Sequence, residues 1–279
     1  MTQSTQTTSK SPLSWLLPAN KESLEQLKSL LTDTRTSIDI QANAVLKDPV
    51  IALDIIKVAN SMALAGSKTV ITTIRGALQR LGNKEVADRL TSIAERPEIE
   101  TPGVSDWIEI YRDHCRKISQ VTGIVASIKR IPFVEECRLS SVFTFLGDML
   151  AAGFLREEYV VQAHGCTRKV LNYRLSQKYH FDPEQTLIKY LQKNGVPEIL
   201  IFPLDRKAST NDPRGAAIRP ICTAAQELFE GYVNNKWDRY KDQQTLPTSS
   251  LVKVLQLTEP QYSQMIEEIN VYLAPPKKP

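Results

Sequence analysis

The stretch that decides the fold is residues 46–61, Leu46-Lys47-Asp48-Pro49-Val50-Ile51-Ala52-Leu53-Asp54-Ile55-Ile56-Lys57-Val58-Ala59-Asn60-Ser61. The short Asp48 carboxylate suits an N-cap, and Pro49 fits the first helical position, where no backbone N–H is needed. From Val50 to Ala59 every residue except Asp54 and Lys57 is apolar. A helix that apolar around its circumference is buried on most sides. The run is therefore predicted to be a core helix that ends in the polar Asn60-Ser61 at the edge of the core.

Working outward, Leu24, Leu27, Leu30 and Leu31 recur at helical spacing upstream. Downstream, Thr72-Thr73 caps a short helix carrying Ile74, Ala77, Leu78 and Leu81 and closed by Gly82, and Asn83 opens another through Ala94. Pro97, Pro102 and Gly103 mark a break. A long helix follows over 106–130, another over 135–155 and a further helical stretch over 159–179. Asp182-Pro183 repeats the Asp48-Pro49 start and leads to Asn194-Gly195. Pro197, Pro203, Pro213 and Pro220 then predict a loop-rich region over 195–220, and helices resume at 221–236, 249–256 and 259–273. There is no run of alternating strands and no fixed repeat. The expectation is an all-α multi-helix bundle over 13–273, with a two-lobed division into 13–103 and 104–273. The tails 1–12 and 274–279 are expected to be flexible.

Composition narrows the class without naming a function. With 279 residues, 42% hydrophobic, and 35 Lys plus Arg against 31 Asp plus Glu, intrinsic disorder is excluded and net charge is a weak argument for nucleic acid. No run approaches the roughly 18 consecutive apolar residues of a membrane span, and the N-terminus lacks the apolar core of a secretory signal. The expectation is a cytoplasmic protein with no membrane insertion. Cys115, Cys137, Cys166 and Cys222 show no CxxC spacing, so reduced, mostly buried thiols are expected.

A search for chemistry mostly excludes it. With only His114, His164 and His180, a multi-histidine metal cluster would need every histidine in the chain. His114 falls on the apolar face of its helix, the place of a core histidine. No HExxH, GxSxG or GxGxxG occurs. Gly66-Ser67-Lys68-Thr69 echoes a phosphate-binding loop, but it lacks the glycine before the lysine and follows a helix rather than a strand. Between 156 and 207 nine Lys/Arg face six Asp/Glu, a mild excess. Lys236-Trp237-Asp238-Arg239-Tyr240-Lys241 interleaves aromatics with bases, as nucleic-acid platforms do. It reads better as a helix end whose Trp237 and Tyr240 pack on the core.

The Asp48-Pro49 start, the apolar helix and Ala59-Asn60-Ser61, followed by Ile74, Ala77, Leu81 and Gly82, resemble the hallmark of the HDOD family, the HD-related output domains of bacteria. Trp107 opening a long helix, and Leu146-Gly147-Asp148-Met149-Leu150 further on, are similar to the family as well. The resemblance runs from about residue 13 to 273. It implies an all-helical fold distantly related to HD phosphohydrolases, in regulatory modules that usually lack the metal-ligand set. HD-type relatives often carry Leu-His-Asp-Ile-Gly at 146–150; here Asp148 is kept and Gly147 replaces the histidine.

From this, Asn60, Ser61 and Asp148 are the candidate residues of a relict cavity, with Asn60 favoured as a helix-end hydrogen-bonding residue and Asp148 as a buried one. No catalytic residue, metal or cofactor is expected. The function expected is non-catalytic signal transduction through a protein partner, with the 195–220 region a candidate docking loop. The alternatives are a degenerate metal-dependent phosphohydrolase, or a sensor of nucleotides or nucleic acid. Nucleic acid is the less expected partner, and a small ligand in the relict cavity stays open.

Overall fold

The computed structural model describes residues 11–63, 69–241 and 250–274. Among them every regular element is helical. A 3-10 turn over Pro12–Ser14 leads into α1 (Lys21–Thr32), α2 (Ile38–Val45), α3 (Pro49–Ala63) and α4 (Ile74–Ala94). Next come α5 (Val104–Lys129), α6 (Val134–Val142), α7 (Leu146–Leu155), α8 (Glu157–Ala163) and α9 (Arg168–Tyr179). The chain closes with α10 (Pro183–Lys193), α11 (Glu198–Ile201), α12 (Pro213–Val233), α13 (Asp238–Lys241), α14 (Ser250–Leu255) and α15 (Glu259–Leu273).

The helix anticipated from residues 46–61 is α3. Val50, Ile51, Ala52, Leu53, Ile55, Ile56, Val58 and Ala59 are all buried in a cluster of apolar side chains that runs from Leu17 to Leu273. The second organising element is α5, which packs against α6, α7, α12 and α15. Gly103 opens it and Arg130 ends it, both with left-handed backbone. Thr73 caps α4 by accepting from the Gly76 N–H at 3.1 Å. Gly82, with φ of 71°, puts a kink inside α4 where two helices were expected. Asn83 donates from Nδ2 to the Leu31 carbonyl, tying that kink to α1.

Three expected spans come out differently. The helix over 135–155 is broken at residues 143–145 into α6 and α7, although Leu139–Val142 on one side and Leu146–Gly153 on the other are all buried. By length and hydropathy Val134–Leu155 resembles a membrane span, yet 83% of its most apolar window is buried inside the bundle, as in a core helix. The stretch over 159–179 is split by 164–167, where Gly165 takes a φ of 65°. In the 195–220 region the last helix starts at Pro213 rather than 221, because Asp212 caps it through the Arg214 N–H at 2.8 Å. Asp212-Pro213 is a third copy of the Asp-Pro start already read at 48 and 182. Gly66, Ser67 and Lys68 of the phosphate-loop echo, and most of both tails, lie outside the described residues.

Candidate functional site

Asn60 lies at the last full turn of α3 and holds the returning chain. Its amide donates to the Ile56 and Ile71 carbonyls, each at 2.9 Å, and its carbonyl oxygen accepts from the Ile71 N–H at 2.9 Å. Ser61 donates to the Val58 carbonyl at 2.8 Å. Both side chains thus bond backbone on or beside α3. The far end of the same helix carries Asp48, about 18 Å away at 1.5 Å per residue. None of the bonds made by Asn60 or Ser61 reaches α7, so this pair and Asp148 are not brought into one hydrogen-bonded group.

Asp148 sits on the first turn of α7 and is almost wholly buried. Arg168, the first residue of α9, meets it twice over. Its Nε is 3.1 Å from both Oδ1 and Oδ2, and its Nη2 is 2.8 Å from Oδ2. The guanidinium also donates to the Thr144 carbonyl at 3.2 Å, lies 3.5 Å from Glu230 Oε1, and stacks 4.5 Å from the Phe145 ring centre. Burial works against the charged form of Arg168, but the Asp148 charge outweighs it and holds the guanidinium protonated.

An aromatic shell closes around this pair. Tyr159 donates to the Tyr111 hydroxyl at 2.5 Å, and Tyr111 packs against Trp107, Phe145 and His114. Burial, with the nearby Asp148 charge, pushes both tyrosine hydroxyls far above their ordinary range, so neither ionises at neutral pH. His114 lies between Phe145 and Phe229, ring centres 5.3 Å from each, and burial lowers it to about 4. It is neutral at physiological pH and enclosed by rings. Cys115, one residue on, is fully buried, and burial raises its thiol well out of the reactive range.

The position before Asp148 is the most informative. A side-chain carbon at Gly147 would stand 2.1 Å from the Pro183 carbonyl oxygen and 3.1 Å from Leu187 Cβ. The first turn of α10, set by the Asp182 cap, fills the space that a histidine would need. Among the described residues no three His, Cys, Asp or Glu side chains converge as a metal-binding group. The donor set therefore does not suit a hydrolytic metal ion: one carboxylate is consumed by a guanidinium, and its neighbour position is closed by backbone.

The HDOD domain model matches residues 17–188, well over half of the chain. The chain belongs to the HDOD family. No curated protein matches it. Among solved structures, the MmoQ response regulator of Methylococcus capsulatus is similar over 90% of this chain and 97% of its own, with a TM-score of 0.68 and 16% identity. A virulence factor of Campylobacter jejuni is similar over 91% of this chain and 96% of its own, with a TM-score of 0.62 and 13% identity. At such identities the likeness shows the shared fold, and it extends over more of the chain than the matched HDOD segment.

Sequence reasoning missed two arginines of this HDOD core, Arg168 and Arg112, and with Arg112 the second role of Asp48. Arg168 fell inside the helical stretch read over 159–179, and its pairing with Asp148 across 20 residues has no periodic signal. Arg112 and Asp48 form a second buried pair, Nε to Oδ2 at 2.9 Å, an ion contact outside hydrogen-bond geometry. A charged residue on an apolar helix face was the available hint for Arg112. The Lys236–Lys241 segment holds to the core reading: Trp237 is buried and donates to Asn270 Oδ1 at 2.9 Å, and its ring lies 5.6 Å from that of Tyr240.

Proposed function

We propose that this HDOD protein is a non-catalytic regulatory module of signal transduction that works by binding another protein. One observation carries the reading: α10 backbone occupies the place beside Asp148 where a metal-binding histidine would stand, and Arg168 takes up both Asp148 oxygens. Metal-dependent hydrolysis needs several ligands converging on an ion to activate water. A guanidinium in that place neutralises the carboxylate and supplies no water-activating charge. What such a core offers is a rigid body that presents its helices to a partner.

The catalytic half of the question is tested by metal analysis of freshly purified protein together with hydrolysis of bis-p-nitrophenyl phosphate and cyclic dinucleotides in the presence of Mg²⁺, Mn²⁺ or Co²⁺. No turnover is expected. Turnover with stoichiometric metal, both lost in Asp148→Asn, overturns the non-catalytic reading. The interaction half is tested by cross-linking and tagged pull-down from the native host with quantitative mass spectrometry. Enrichment of one signalling protein is expected, and an empty pull-down overturns the adaptor reading.

A further inference from the structure

Apolar residues of α9 point both ways. Leu171 and Leu175 are buried inward, while Val170 is 43% and Tyr173 67% exposed on the opposite side. Val161 of neighbouring α8 is 68% exposed. Arg174 donates from Nη1 to the Gln162 carbonyl at 3.2 Å, which brings the outer face of α9 against the end of α8 that carries Val161. On α9 itself, Lys169 and Tyr173, Val170 and Arg174, and Val170 and Tyr173 are spaced to share one face.

The charge carried by α9 itself has one sign, while α8 exposes Glu157 and sets Glu158 against the end of α9. Residues 168–179 contain Arg168, Lys169, Arg174 and Lys178 and no acid. Arg168 is turned inward to Asp148, and Lys178 is taken by Glu158 at 3.6 Å, which also accepts from the Tyr179 hydroxyl. Lys169 and Arg174 pair with no carboxylate among the described residues, and the Tyr173 hydroxyl has no hydrogen-bond partner there. An exposed tyrosine and two valines framed by two unneutralised cations have the composition of a recognition patch: apolar anchors within a charged rim.

We infer that the outer face of α9, with Val161 of α8, is a docking surface for an acidic protein segment carrying an apolar anchor. The inference rests on the adaptor reading and names the surface through which it operates. Opposite charge would orient the segment and speed encounter, while Tyr173, Val170 and Val161 supply the apolar contact. Two aliphatic side chains in the patch favour a protein over nucleic acid, because valine offers no ring for a base to stack on. The face is also held rigidly: α9 begins at Arg168, whose pairing with Asp148 fixes that end of the helix to the core.

The test uses the full chain with the photo-cross-linker p-benzoylphenylalanine in place of Tyr173, and in place of Val271, exposed on α15, as a control. Irradiation in fresh lysate of the native host is expected to join position 173 to a segment rich in Asp and Glu. The yield should fall about tenfold in a Lys169→Glu/Arg174→Glu background. It should fall similarly in about 0.5 M salt, where screening shortens to a few ångströms. Circular dichroism checks that the double variant is folded; if it is not, Lys169→Glu alone, which leaves the Arg174 contact intact, takes its place. Cross-links from 173 to a second copy, to nucleic acid or to lipid overturn the inference. So does silence at 173 while 271 captures a protein partner, which leaves the adaptor reading standing. Silence at both positions with an empty pull-down overturns the two together.

Discussion

Two buried carboxylates, Asp48 and Asp148, meet two arginines in this protein, and the pairs do different work. Asp48 is a joint of the fold. Its Oδ1 accepts from the Val50 and Ile51 N–H groups at 2.7 and 3.2 Å, capping α3, and its Oδ2 accepts from the Asn20 N–H at 2.8 Å beside Arg112. Arg112 in turn donates to the Pro18 carbonyl at 2.7 Å and binds Glu109. One carboxylate thus fixes the start of α3, the entry to α1 and the side of α5. Asp148 makes no such backbone bonds, and Arg168 answers its whole charge. The same residue types serve architecture at one end and the neutralisation of a carboxylate at the other.

The sharpest break of this comparison is Asp48→Ala. It strands a buried guanidinium and three backbone N–H groups, and by the usual cost of breaking a buried pair it should lose about 4–5 kcal/mol, read by urea denaturation. Asp148→Ala should lose less, about 3 kcal/mol, because each arginine keeps a carbonyl and a glutamate but only Asp48 is the acceptor for backbone N–H groups. A double replacement, Asp148→Leu with Arg168→Met, should recover most of that loss, since an apolar pair of similar volume removes both buried charges. If the double variant is as unstable as the single ones combined, the pair does more than neutralise itself. Gly147→Ala comes next, at about 2–3 kcal/mol, because its new carbon meets α10 backbone rather than a flexible side chain. A fully stable Gly147→Ala would mean that α10 can yield, and would reopen the place beside Asp148.

The smallest effect is in pH. His114 has a folded pKa of about 4, below its ordinary value of 6.5, because burial disfavours the cation. The unfolded chain therefore binds more protons between those limits. His114 contributes its stability fully above pH 6.5 and loses it as pH falls toward 4, by on the order of 2 kcal/mol once its partial exposure is allowed for. Between pH 7 and 4 the melting temperature of the natural chain should fall relative to that of His114→Phe, which carries no titrating ring. Parallel curves would show that His114 is not the group responsible.

The architecture was legible where one residue pattern had one structural meaning. The Asp48-Pro49 cap with its apolar run, the Thr73 cap and the Asp182-Pro183 start all formed as read, because caps and periodicity are local. The break at 143–145 was not legible, since the residues next to it on both sides are buried, with no Gly or Pro between them, and the turn is set by packing in the bundle interior. At the site, Asp148 was found by resemblance, but its partner was not, because an ion pair across a chain reversal leaves no mark in periodicity. The 195–220 region was misread in part for the opposite reason. Four prolines outweighed the Asp212 cap, although Pro213 is a helix starter and Pro220 is carried inside α12.

That inner proline has a consequence for the region before it. Pro220 donates no amide hydrogen, so the Ala216 carbonyl lacks its usual partner one turn on, and the ladder of α12 is interrupted there. The residue beside it, Arg219, reaches outward to the preceding segment. Its Nη1 donates to the Ala208 carbonyl at 2.7 Å, its Nη2 to the Phe202 and Asp205 carbonyls at 2.8 and 2.9 Å, and it lies 3.3 Å above the Phe202 ring. The segment from 202 to 219 is therefore a panel with a weak seam behind it and Arg219 as the latch that gathers three of its carbonyls. Amide hydrogens within it should exchange with solvent together when the latch lets go, while those of α12 beyond the seam stay protected.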